Sequence, residues 1–139
     1  SKNILKKSLL NFVLLDFKMN NHKIKKKYDL IVYFRKHENK FFEHHIKLIT
    51  NFISKNKKVI VVGDELKVNS IKHFGKINKI YLIKLIKKSK YSLSGDDNLL
   101  SLFNIDCLKY KVKIIYNNKL NFQIPLFLKK NFISHNYEK

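Results

Sequence analysis

Apolar residues along this chain alternate between continuous runs of four or five and stretches spaced at three and four residues. The clearest run is Leu30-Ile31-Val32-Tyr33-Phe34, opened by Tyr28-Asp29, which predicts a parallel strand buried on both faces. A polar turn, Arg35-Lys36-His37-Glu38-Asn39-Lys40, follows. Phe41, Phe42, His45, Ile46, Ile49, Phe52 and Ile53 then recur at helical spacing. Lys58-Val59-Ile60-Val61-Val62 predicts a second buried strand that stops at Gly63-Asp64. Beyond it come a short strand around Ile71–Phe74 ending at Gly75, a helix over Asn78–Lys88 and a strand over Tyr91–Ser94. A helix over Leu99–Lys109 and a strand over Lys111–Tyr116 continue the rhythm. Pro125 lies between two apolar clusters in a tail expected to wrap back as a short helix.

Strands alternating with helices of this length argue for right-handed βαβ units. The fold expected is α/β, a Rossmann-like three-layer domain with a mainly parallel sheet. Ahead of it, Ile4, Leu5, Leu9, Phe12, Val13 and Phe17 predict a helix, broken at Met19-Asn20-Asn21-His22. Residues 1–27 therefore read as an N-terminal helix and connection, fitting a segment between domains, and residues 28–139 as the domain proper. The length of 139 residues suits one such domain.

Charge changes this picture less than its size suggests. The net charge is +20, yet of the 30 basic residues only Arg35 is an arginine. Alanine is absent while Asn, Ile, Phe and Tyr abound, a bias that A/T-rich codons explain in large part. A nucleic-acid reader would use arginine, whose planar fork grips phosphates and guanine edges, so nucleic-acid binding is disfavoured. Attraction to an anionic substrate or to an anionic membrane surface stays open. Apolar runs are too short to span a bilayer, and the expected location is cytoplasmic, with peripheral contact at the inner membrane face as its variant. Cys107, the lone cysteine, is expected to be a small buried thiol. His37, His44 and His45 lack acidic or cysteine partners at ligand spacing, so no metal site is expected.

Ligands of open parallel sheets bind in the loops beyond the carboxyl ends of the strands. Those loops are Arg35–Lys40, Gly63–Lys67, Gly75–Asn78 and Ser94–Ser101. In the first, Arg35 and Lys40 suit a diphosphate, one offering a fork and the other a point charge. In the last, Asp97 or Asn98 can cap the following helix, whose amides at Asn98–Ser101 would face an anion. Asp106 lies about two turns further along. No glycine-rich phosphate loop of the Walker or dinucleotide type is present, and no cofactor is expected.

With these residues in view, Tyr28–Asn117 resembles the C-terminal domain of retaining GT-B glycosyltransferases, which binds the nucleotide half of a sugar donor. Arg35 followed by Lys40 resembles that family's diphosphate-holding pair. Gly75 before the Asn78–Lys88 helix resembles its glycine at the same place. The run from Ser94-Gly95-Asp96-Asp97-Asn98 through Phe103-Asn104-Ile105-Asp106, with Val112 after it, resembles its block of serine, glutamate, phenylalanine–glycine and second glutamate. The resemblance implies that Asp106 meets the ribose, Asp97 or Asn98 the donor sugar, and the amides near Leu100 and Ser101 the diphosphate. Both glutamates and the glycine are replaced here. The implied partner is a nucleotide-diphosphate sugar, the acceptor is unidentified, and the implied activity is sugar transfer when joined to an acceptor-binding domain. A basic α/β module binding RNA or a protein is the alternative; RNA affinity falling steeply with salt, without competition by nucleotide sugar, would identify it. A response-regulator-like switch needs an acidic cluster after its first strand, where Arg35 and Lys36 stand.

Overall fold

Tyr28–Phe34 (β1) forms the middle of the sheet, because its alternate residues are apolar on both sides and both sides find a partner layer. The computed structural model of the protein describes residues 25–37, 42–94, 99, 101–119 and 123–136. The elements after β1 are Phe42–Ser54 (α1), Val59–Gly63 (β2), Lys72–Gly75 (β3), Lys79–Lys87 (α2) and Ser89–Leu93 (β4). Leu102–Lys109 (α3), Lys113–Asn117 (β5), a 3-10 turn over Leu126–Asn131 and Phe132–His135 (β6) complete them. The six strands run in the order β3-β2-β1-β4-β5-β6, and every pairing is parallel. The Rossmann-like α/β domain expected from the alternation is thus the fold found.

Two cores lie on opposite faces of the sheet. Leu30, Val32, Val59 and Val61 meet Leu48 and Ile49 of α1. Ile31, Ile60, Val62 and Ile114 meet Leu85 and Ile86 of α2 and Ile105 and Leu108 of α3. The chain builds outward from β1 through β2 to β3, then returns to β1's other side. Parallel connections of one hand require this reversal to move the helices to the second face.

Local chemistry sets the element ends. Asn78 Oδ1 accepts the Tyr81 amide at 2.8 Å and starts α2. Lys84 and Lys87 fall in its last turn, and Lys26 Nζ donates to the Lys87 carbonyl at 2.9 Å, a favourable place for cations at a helix carboxyl end. Burial lowers the Lys26 ammonium below its ordinary range. At the amino end of the sheet, Asp29 Oδ2 accepts the Lys58 amide at 2.7 Å and Oδ1 lies 3.5 Å from Lys90 Nζ, tying β1 to both neighbouring strands.

Two strands, β4 and β6, depart from the pattern-based expectation. β4 begins at Ser89, two residues earlier than Tyr91, because Tyr28 and Leu30 of β1 pair with Ser89 and Tyr91. β6 was not expected: only its pairing with β5, Ile114 to Phe132 through Asn117 to His135, makes Phe132-Ile133-Ser134-His135 a strand. The expected short helix in the tail is present as the 3-10 turn that follows Pro125. The residues 64–71 joining β2 to β3 contain no helix, and buried Leu66 anchors them to the α1 face. The expected helix within residues 1–24 lies outside the described residues.

Candidate functional site

The strand order reverses between β1 and β4, so their carboxyl ends flank the crevice where open α/β sheets bind ligands. On the β1 lip, Arg35 follows directly on buried Phe34. Its backbone is held from both sides by one residue. The Asp64 amide donates to the Phe34 carbonyl at 2.8 Å, and the Lys36 amide donates to Asp64 Oδ2 at 2.9 Å. That clasp requires close approach at Gly63, whose φ is +99°: a β-carbon there would lie 2.3 Å from the Phe34 carbonyl oxygen. Arg35, His37, Asp64 and Lys76 line a pocket of about 140 Å³ over the ends of β1, β2 and β3.

The β4 lip is built around Asn104. Its buried amide nitrogen donates to Ser94 Oγ and to the Leu99 carbonyl, each at 3.1 Å, joining the end of β4 to α3. Ser101 Oγ accepts the Asn104 amide at 3.2 Å and caps α3. The helix therefore starts at Leu102, three residues later than the periodicity implies, and Ser101, not Asp97 or Asn98, is the capping residue. The amides of Leu102 and Phe103 lie in the first turn of α3, at its electropositive end. Phe103 stacks on Tyr33 with centroids 5.3 Å apart and planes at 22°, pressing the first turn of α3 against β1. One turn on, buried Asp106 lies 3.9 Å from Lys79 Nζ in the first turn of α2. Desolvation raises the Asp106 carboxyl above its ordinary value, although Lys79 and Lys109 pull it down.

Of the residues picked from the sequence, Arg35, Ser101 and Asp106 are described, and each is at the carboxyl end of the sheet or on the helix that begins there. Lys40, Asp97, Asn98 and Leu100 lie outside the described residues. Nothing in the sequence pattern marks Asp64, Lys76 or Lys79, although Asp64 and Lys76 fall in loops that the carboxyl-end rule selects. Only spatial neighbourhood distinguishes them from the many other polar residues of those loops. Cys107 is fully buried in the core, as expected, and burial pushes its thiol up to about 12, which keeps it protonated and unreactive. His45 is buried on α1. Among the described residues no group of His, Cys, Asp or Glu is arranged to hold a metal ion, and no helix is long and apolar enough to cross a membrane.

The fold has relatives among solved structures. The structure of UDP-GlcNAc 2-epimerase from Methanocaldococcus jannaschii superposes with a TM-score of 0.56 over 90% of this chain, at 14% sequence identity. The structure of that organism's enzyme in complex with UDP-GlcNAc and UDP gives a TM-score of 0.56 over 93% of this chain, at 13% identity. At such identity the likeness is one of fold, the GT-B-like kind. This chain spans 38% and 42% of the length of those two chains. No family model and no curated protein matches the sequence.

Proposed function

We propose that this chain binds a nucleotide-diphosphate sugar and is the donor-binding domain of a GT-B-like glycosyltransferase. The observation that carries this reading is the arrangement at the sheet's reversal point. Arg35 stands on one lip, the amino end of α3 on the other, and the buried carboxyl of Asp106 on that same helix. A diphosphate suits the first two, since a guanidinium fork and helix amides both stabilise its charge. A ribose diol suits the third, because a carboxylate accepts from two hydroxyls at once. The complex of the similar epimerase with UDP-GlcNAc and UDP supports the ligand class. The resemblance noted in the sequence adds Lys40, Leu100 and Ser101 around the diphosphate and Asp97 or Asn98 toward the sugar. Stabilising the departing diphosphate is this domain's contribution to transfer. The acceptor site belongs to another domain, so the chain alone is expected to transfer no sugar.

Calorimetric titration with UDP-GlcNAc tests the reading. Arg35→Ala is expected to weaken binding about tenfold, the usual loss for one charge-assisted hydrogen bond. Unaltered affinity would sink the diphosphate assignment. The same two solved structures favour a second reading, inversion of the sugar at C2. Conversion of UDP-GlcNAc to its 2-epimer without any acceptor would select it over transfer.

A further inference from the structure

The pocket over the ends of β1, β2 and β3 carries charged residues besides Arg35 that the donor-site reading does not use. At about 140 Å³ it is too small for a nucleotide, since whole-ligand pockets run from roughly 300 Å³ upward. It is large enough for a phosphate group. Among its described lining residues, Arg35, Lys76 and His37 offer cationic or ring-nitrogen donors, and they come from the ends of two different strands. Asp64, which also lines it, is a carboxylate, which by charge alone opposes an anion. Its side chain explains its presence: it accepts the amide of Lys36, the residue immediately after Arg35.

We propose that this pocket is a phosphate subsite in which Lys76 is the second cation beside Arg35, and Asp64 is the positioning residue that aims Arg35 into it. The inference deepens the donor-site reading and rests on Arg35 being its anion-binding group. Asp64 acts through the hydrogen bond its side chain accepts from the Lys36 amide and not through its charge. Those two properties can be separated. Asparagine at 64 keeps an oxygen that accepts the Lys36 amide and removes the negative charge beside the phosphate. Alanine removes charge and acceptor together.

The test is titration of the chain with inorganic pyrophosphate and with UDP-GlcNAc, at one low salt concentration, alongside melting curves. Lys76→Ala, at an exposed position, is expected to weaken pyrophosphate binding about tenfold without moving the melting temperature. Asp64→Asn is expected to bind pyrophosphate more tightly than the native chain, and Asp64→Ala more weakly. A merely structural role for Asp64 would not divide the two variants by sign. The inference is overturned if Lys76→Ala leaves pyrophosphate affinity unchanged, or if both Asp64 variants shift it in the same direction. Should Asp64→Ala fail to fold, the Lys76→Ala and Asp64→Asn results decide alone. UDP-GlcNAc affinity that depends on Arg35 but not on Lys76 would overturn this subsite and leave the donor-site reading standing. Pyrophosphate binding that depends on both cations, with no added affinity for UDP-GlcNAc, would do the reverse.

Discussion

Gly63→Ala is expected to cost the folded protein at least about 3 kcal/mol, enough to unfold a marginally stable domain at moderate temperature. Two independent penalties combine at this residue. Its φ of +99° strains any residue with a β-carbon, and that carbon would lie 2.3 Å from the Phe34 carbonyl oxygen. The oxygen cannot move away cheaply. It accepts the Asp64 amide, and Phe34 is paired with Gly63 in the β1–β2 ladder. Relief requires the centre of the sheet to part at its carboxyl end, where Arg35 begins. Gly75→Ala is the internal control: φ is +69° there as well, but nothing lies within 4 Å of the added carbon. Its cost is expected to stay near the left-handed backbone penalty of about 1–2 kcal/mol. Urea denaturation of the two variants measures the difference. Equal losses would show that the Phe34 contact yields without resistance.

Asp106→Asn is expected to raise the melting temperature at neutral pH while weakening UDP-GlcNAc binding tenfold to a hundredfold. Burial raises the carboxyl's pKa above the ordinary 3.8, so the fold favours the protonated form. The stability this group contributes is therefore fully present below the unfolded carboxyl's pKa. It is lost as pH rises through the higher folded value, and the ionised group is a cost at neutral pH. Asparagine is uncharged and close in shape, so it removes that cost. The advantage of the variant should shrink to nothing as pH falls toward 4, where the native side chain is itself becoming neutral. Lys79, 3.9 Å away, offsets part of the cost, yet burial outweighs it. A buried carboxylate that destabilises its own fold is explained when a ligand's hydroxyls complete its hydrogen bonds. Melting curves across pH and titrations at neutral pH read the two effects separately. A lower melting temperature at neutral pH would contradict the desolvation argument, and unchanged affinity would contradict the ribose assignment.

The proposed anion site shows which of its residues are legible in the chain directly and which are not. Arg35 stands out as the only arginine at the end of a buried strand, and Asp106 by its place in the helix after β4. Asp64 and Lys76 carry no such mark, being one acid among ten and one lysine among many in a strongly basic chain. They gain meaning from lining one pocket with Arg35, although they are 29 and 41 residues away along the chain. The cap of α3 shows the same limit on a smaller scale. Several residues from Asp97 to Ser101 can cap a helix, and the buried bonds of Asn104 to Ser94 and Leu99 accompany a start at Leu102.

What the amino-acid pattern determined by itself is the class of the fold and the type and order of most elements from β1 to β5. Burial of apolar side chains at periods of two and 3.6 is a local property that neighbouring residues encode. The tertiary structure alone decided the strand order, the sixth strand and the company that Arg35 keeps. Those depend on backbone pairing and charge proximity between distant segments, whose free energy comes from contacts that no stretch of the chain makes within itself.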